Sequence, residues 1–167
     1  MLILAAALKA MLSAAGASLV VWLSVIVVRK NRKFVFPVFA AYIIAVLYVT
    51  LFSRVVADEG QGINLIPFHF AYWIIRYATG PAYLGVFNPI LGVYLNILLF
   101  VPFGYLIKVI KPATKTWKIV LAGFGFSIGI ECIQLIAKLG MFETDDLMTN
   151  TVGTYIGSRI ARRYSFE

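Results

Sequence analysis

The sequence predicts an all-α fold: a helical membrane bundle of about five transmembrane helices, with a short interfacial helix on its outer side. First, 62% of the residues are hydrophobic and the mean hydropathy is +0.91, whereas soluble domains are close to half apolar. Second, several apolar runs reach the roughly 20 residues that cross a bilayer. Third, most basic residues cluster between those runs, as in cytoplasmic loops. The 167 residues have room for a single domain, residues 1–167.

Two spans are predicted in the first third of the chain. Residues 2–28 are apolar apart from Lys9 and a few small polar residues. The basic block at residues 29–33 stops this helix on the cytoplasmic side, so we expect an uncleaved span whose N-terminus lies outside. Residues 34–56 form the second span. Arg54 lies near its outer end, where it either extends its charge to the interface or serves a site.

The segment at residues 57–88 is too polar and too broken to span a bilayer. Its aromatic residues are typical of the headgroup level, and we predict a short interfacial helix that begins at Pro67. Asn64 precedes this helix, and His69, the only histidine of the chain, lies within it. A single His among aromatic residues is more often a packed or interfacial side chain than a catalytic one, so both interpretations stay open.

The third predicted span, residues 89–110, carries polar and small residues on one face. Gly92, Asn96, Phe100 and Gly104 recur every four residues and therefore lie on the same side of a helix. Asn96 is a polar side chain in an apolar helix and needs a hydrogen-bond partner. This face is therefore expected to meet other helices rather than lipid.

The fourth predicted span, residues 119–137, contains a carboxylate. Glu131 and Gln134 are three residues apart and share a face. An ionisable residue inside a membrane helix is a functional-site hypothesis by default. Gly125 and Gly129 form a G-x-x-x-G pair, which would allow another helix to approach closely.

The last predicted helix, residues 145–163, starts with two acids. Asp145 and Asp146 suit the positive end of the helix macrodipole. Asn150 follows Asp146 by one turn and shares its face. The helix is poorly hydrophobic, so we expect it to cross the membrane only if it is packed inside the bundle.

The distribution of charge predicts an orientation and limits the partners. Eleven of the fifteen Lys and Arg residues fall at the proposed inner ends, which favours an external N-terminus and a cytoplasmic C-terminus. The net charge of +8 would suit nucleic acid, but the basic residues lie in short clusters between apolar runs, so we exclude that partner. The single cysteine, Cys132, is expected to be a small buried hydrophobe.

The depths of the polar residues predict one ligand-binding site under the outer surface, covered by residues 64–77. A rise of about 1.5 Å per residue places Asn96 and Glu131 each roughly 10 Å below the outer boundary. Glu131 is expected either to be neutral and donate to Asn96 or Asn150, or to be ionised and paired with Arg54. The candidate ligand-binding residues are Arg54, Asn64, His69, Asn96, Glu131, Gln134, Asp145, Asp146 and Asn150.

Four motifs between residues 64 and 157 carry a family resemblance. They are NLIPF at residues 64–68, NILLFVPFG at 96–104, ECIQ at 131–134 and DDLMTNTVG at 145–153. In sequence and order they resemble the motifs of the VanZ-like family of bacterial integral membrane proteins. The resemblance implies a multi-pass protein of the bacterial cytoplasmic membrane, whose named member is linked to resistance to the lipoglycopeptide teicoplanin. Basic residues often follow the Gln in this family, whereas here the turn reads KLGM. This departure counts against a basic ligand-binding role for the turn.

Three functional interpretations remain open at this point. The first is a non-enzymatic binder of an amphiphile, either a lipid-tailed glycopeptide or an envelope lipid. The second is an intramembrane enzyme acting on a lipid-linked envelope substrate, with Glu131, Asp146 and His69 as the catalytic candidates and a divalent cation on Asp145 and Asp146. In the third, the polar residues only join helices by hydrogen bonds. Membrane lipids are the expected partners, and the sequence requires no cofactor.

Overall fold

The computed structural model describes residues 23, 25, 26, 28, 31–52, 62–80 and 87–164. These residues form mainly α-helices, together with two short strands. The helices are α1 (Val35–Leu47), α2 (His69–Thr79), α3 (Phe87–Ile110), α4 (Thr116–Ile136) and α5 (Thr144–Tyr164), and the strands are β1 (Gly62–Asn64) and β2 (Met141–Glu143). Most of the predicted first span and the outer end of the second, with Arg54, lie outside the described residues.

Two of the described helices are long and apolar enough to cross a membrane. They are Pro89–Ile110 within α3 and Thr116–Ile136, with mean hydropathies of 2.1 and 2.0. The helical stretch Val35–Leu51 is apolar but shorter. Helix α5 has the length of a span but not its hydropathy, because charged residues occupy both of its ends and its buried face includes Gly, Ser, Thr and Asn. The predicted number of about five transmembrane helices is therefore not confirmed.

Helices α3 and α5 pack backbone against backbone. A Cβ atom added at Gly104 would overlap the carbonyl oxygen of Thr154, and one added at Gly157 would overlap that of Val101. Small residues at a helix interface permit this close approach. No described helix makes the predicted close contact at the G-x-x-x-G pair of α4, since an added Cβ at Gly125 or Gly129 would meet no atom of the described residues within 4 Å.

The apolar core lies between α1, α3 and α4. Phe103 of α3 stacks on Phe126 of α4, with ring centroids 5.1 Å apart. Tyr42 of α1 is buried and donates a hydrogen bond from its hydroxyl to the carbonyl oxygen of Leu99, at 2.7 Å. A buried tyrosine hydroxyl usually finds such a partner, and this bond fixes α1 against α3.

The two strands are the part of the fold that the all-α prediction missed. They pair in parallel, with Ile63 opposite Phe142 and Asn64 opposite Glu143. Before β2 the chain turns at Lys138, which has a left-handed backbone with φ of 56°. The amide of Leu139 donates to the carbonyl oxygen of Gln134 at 2.8 Å, as at helix ends closed by a left-handed residue. Strand pairing then brings the start of α2 next to the start of α5.

Candidate functional site

A cavity of about 440 Å³ with apolar and polar walls lies where α2, α3, β2 and the start of α5 meet. Apolar and aromatic side chains form part of its wall, including Trp73, Val93 and Met141. The rest of the wall is polar. The polar and charged residues that line it are Asn64, His69, Asn96, Glu143, Asp145, Asp146 and Thr149. Concave sites with a few convergent polar groups on apolar walls are typical of ligand binding.

Asn64 holds His69 in one orientation. The Asn64 side-chain oxygen accepts a hydrogen bond from the amide of Ile66 at 3.2 Å. Its Nδ2 therefore faces His69 Nδ1, at 2.7 Å. An amide nitrogen only donates, so Nδ1 accepts and the proton of the neutral imidazole is carried by Nε2. His69 also stacks in parallel on Tyr72, with ring centroids 5.9 Å apart.

Asp145 and Asp146 stand in the first turn of α5, where the helix macrodipole favours negative charge. Asp145 Oδ2 accepts a hydrogen bond from the backbone amide of Phe70 at 2.7 Å, which joins α5 to α2. Asp146 Oδ1 accepts one from Asn96 Nδ2 at 2.6 Å, which joins α5 to α3. Asp145 Oδ1 is buried and accepts no hydrogen bond from any described residue.

Three predicted site residues do not line this cavity. Glu131 is 1% exposed, and its Oε2 accepts a hydrogen bond from the amide of Glu143 at 3.0 Å. Gln134 Nε2 donates to the carbonyl oxygen of Thr50 at 2.9 Å. Asn150 Nδ2 donates to Ser127 Oγ at 2.9 Å. Each of the three connects elements of the bundle.

The comparisons with known proteins give one match. The family model described as VanZ/LLP1 matches residues 39–165, which is most of the chain. The chain belongs to the VanZ/LLP1 family. No curated protein and no solved structure matched it. Membership of the VanZ/LLP1 family and the two long apolar helices are consistent with a membrane protein.

In this VanZ/LLP1 chain, five of the nine predicted site residues surround the cavity: Asn64, His69, Asn96, Asp145 and Asp146. Arg54 lies outside the described residues, so its predicted pairing with Glu131 stays a prediction. Sequence reasoning missed Glu143 and Trp73 as wall residues. Trp73 could have been found from the sequence, because it follows His69 by one helical turn and so lies on the same helix face.

The charged groups in the wall of this cavity are hydrogen-bond acceptors. Glu143, Asp145 and Asp146 contribute carboxylates, and no Lys or Arg among the described residues lines the wall. Such a wall suits a polar group rich in donors, such as an ammonium group or sugar hydroxyls. Within the described part of the chain, no three His, Cys, Asp or Glu side chains are grouped to hold a metal ion.

Proposed function

We propose that this VanZ/LLP1 protein is an integral membrane protein that binds an amphiphile at the level of the outer leaflet. The polar head of the amphiphile enters the cavity between α2, α3 and α5. The ligand is a lipid-tailed glycopeptide such as teicoplanin, or an envelope lipid, and binding contributes to antibiotic resistance or envelope homeostasis. The observation that carries the proposal is the buried oxygen Oδ1 of Asp145, a wall residue, which lacks a donor among the described residues.

An unsatisfied buried acceptor is costly, by about 1–3 kcal/mol. This unfavourable free energy is removed when a ligand donates a hydrogen bond to the oxygen. The other oxygen of Asp145 is held by the amide of Phe70, so the carboxylate is already oriented. A ligand ammonium or hydroxyl group that donates to Oδ1 would therefore bind a preorganised acceptor and lose little entropy in doing so.

The surface beside the cavity supports an amphiphilic ligand rather than a wholly polar one. Leu65, Ile66 and Phe68 are exposed directly before α2. Tyr72 and Ile75 are exposed on α2 itself. Apolar and aromatic side chains at this level suit the boundary between headgroups and acyl chains. The tail of a ligand would lie against them while its head occupied the cavity.

The second candidate function is that of an intramembrane enzyme, because the ring of His69 has a fixed orientation, as a general acid or base requires. Its ring position and tautomer are set by Asn64, and it lines the same cavity as Asp145 and Asp146. Glu131 does not line that cavity, which counts against the role of general base proposed for it from the sequence. A metal bridged by Asp145 and Asp146 would make the activity sensitive to a chelator.

The test measures binding of teicoplanin and of its deacylated core to the purified full chain in lipid nanodiscs. Asp145→Asn keeps an acceptor for the Phe70 amide but replaces the other carboxylate oxygen by a donor. We expect it to weaken teicoplanin binding about tenfold or more, the value of a hydrogen bond to a charged group. The deacylated core should bind more weakly than teicoplanin, because its tail is missing.

Glu131→Gln is the matched control, since it makes the same carboxylate-to-amide change away from the cavity wall and retains an acceptor for Glu143. It should bind teicoplanin like the original chain. Full binding by Asp145→Asn would contradict the proposal. If a chelator abolishes binding in the original chain, the metal-assisted alternative is favoured. Native mass spectrometry of the gently purified protein would show whether an envelope lipid occupies the cavity instead.

A further inference from the structure

A second cavity, of about 820 Å³, lies at the opposite end of the bundle and is cationic. Four basic residues from three parts of the chain line it: Lys108, Lys115, Arg159 and Arg162. Along α3, Lys108 is twelve residues from Asn96, about 18 Å. Along α5, Arg159 is thirteen residues from Asp146, about 20 Å. This cationic cavity is therefore separate from the cavity lined by Asp145 and Asp146, which is the acidic cavity.

Lys108 contributes a buried positive charge to the cavity. Its side chain is only 9% exposed. Its ammonium group donates to the carbonyl oxygens of Pro112 and Thr114, both at 2.7 Å. An ammonium group has three donors, so one N–H has no acceptor among the described residues. A lysine this buried normally has an anionic partner, and no described residue provides one.

The remaining cations are also available to an external anion. Lys115, Arg159 and Arg162 are exposed and form no ion pair with any described residue. No Asp or Glu among the described residues lines this cavity. The described acids, Glu131, Glu143, Asp145 and Asp146, all lie toward the other end of the bundle. Four like charges around one cavity repel one another, and a bound anion would relieve that repulsion.

Aromatic and apolar residues continue the cationic cavity along the outside of the bundle. Trp117 and Tyr155 line the cavity, and Trp117 is 56% exposed. Leu121, one turn after Trp117 in α4, and Ile156, directly after Tyr155 in α5, are also exposed. Aromatic side chains of this kind belong at the membrane interface. An acyl chain would lie along this apolar surface if its headgroup occupied the cavity.

We infer that this cavity binds the phosphate headgroup of an anionic phospholipid. Basic pockets between membrane helices recognise anionic headgroups in this way. Arg159 and Arg162 would donate to the phosphate oxygens, as guanidinium groups readily do. The free N–H of Lys108 would supply a buried donor. A free phosphate ion would have the same polar contacts but would leave the exposed Trp117, Leu121 and Ile156 without a counterpart, so the lipid is the better fit.

The experiment uses the fluorescence of Trp117 in the full chain carrying Trp22→Phe and Trp73→Phe, which makes Trp117 the only tryptophan. The protein is reconstituted in phosphatidylcholine with increasing fractions of brominated phosphatidylglycerol, a quencher of tryptophan on contact. We expect quenching well above that from the same fraction of brominated phosphatidylcholine. Arg159→Gln and Arg162→Gln should each weaken the preference about fivefold, the effect of one cation near an anionic headgroup.

Lys111→Gln and Arg163→Gln are the matched controls, because they remove one exposed cation each at the same end but do not line this cavity. They should leave the preference nearly unchanged. Equal losses in all four variants would overturn the site in favour of general surface charge. Equal quenching by both lipids would overturn it as well. Inorganic phosphate at constant ionic strength should not displace the lipid, and displacement would assign the cavity to free phosphate instead.

Discussion

Glu131 shows how a buried carboxylate can organise a site that it does not line. Its Oε2 accepts a hydrogen bond from the amide of Glu143, and Glu143 ends the strand that pairs with Asn64. Asn64 in turn orients His69. The carboxylate therefore acts on the cavity wall through the backbone of β2, and the expected effect of removing it is mainly on stability.

We predict that Glu131→Ala lowers the free energy of unfolding by about 1–3 kcal/mol, because the Glu143 amide loses its acceptor in a buried environment. Glu131→Gln should lose much less, since its side-chain oxygen can still accept that hydrogen bond. Thermal unfolding of the purified variants in the same detergent measures the difference. Equal stability of Glu131→Ala and the original chain would show that the hydrogen bond to Glu143 contributes nothing.

The individual polar residues were easier to predict than their contacts. Helical rise predicted that Asn96 lies roughly 10 Å below the outer boundary, but depth along a helix axis does not determine which helix faces meet. Asn96 donates to Asp146, whereas Asn150 donates to Ser127. Helix rotation decides between these partners, and that rotation depends on packing of the glycine faces, which hydropathy alone does not reveal.

At the scale of whole elements, the contact between α3 and α5 positions the site. Gly104 and Gly157 permit the two backbones to touch, and this contact sets Asn96 opposite Asp146. Because α5 is covered in this way, its Thr154 and Ser158 side chains are buried and their hydroxyl groups donate to carbonyl oxygens of their own helix. A polar helix can thus be placed inside an apolar bundle without unsatisfied hydroxyl groups.

We predict that Gly157→Ala is destabilising, by about 1–3 kcal/mol, because its Cβ would overlap the Val101 carbonyl group and force the helices apart. Gly129→Ala is the matched control, since its Cβ would meet no atom of the described residues within 4 Å and alanine has the higher helix propensity. Thermal unfolding compares the two. A loss of stability in Gly129→Ala with none in Gly157→Ala would contradict the described α3–α5 contact.

The extents of the long helices were predictable, because apolar runs and their flanking signals mark them. The third predicted span, residues 89–110, corresponds to Phe87–Ile110, and the last predicted helix, residues 145–163, corresponds to Thr144–Tyr164. A short helix predicted to begin at Pro67 is found at His69–Thr79, and its place at the membrane interface stays a prediction. The strands were not predictable, because each has three residues and pairs with a partner far away in the sequence.

At the scale of the whole molecule, the charged residues that line the two cavities have opposite signs. Glu143, Asp145 and Asp146 surround one cavity, and four Lys and Arg residues surround the other. The helix segments between them are almost uncharged, and Glu131 is the only charged residue of α4 beyond Lys118. A molecule divided in this way would favour one orientation in a bilayer, because basic loops remain on the cytoplasmic side.

We predict that the end carrying α2 faces outside and that the loop between α3 and α4 faces the cytoplasm. The test uses single cysteines in a Cys132→Ala background, with Thr79→Cys at the end of α2 and Ala113→Cys in the basic loop. Both positions are exposed, so a difference in labelling reports sidedness rather than burial. A membrane-impermeant maleimide should label Thr79→Cys in intact cells and Ala113→Cys only after permeabilisation.

The amphiphile-binding proposal requires this orientation, because its ligand arrives from outside. Labelling of Ala113→Cys in intact cells, with Thr79→Cys protected, would invert the topology and place the acidic cavity at the inner leaflet.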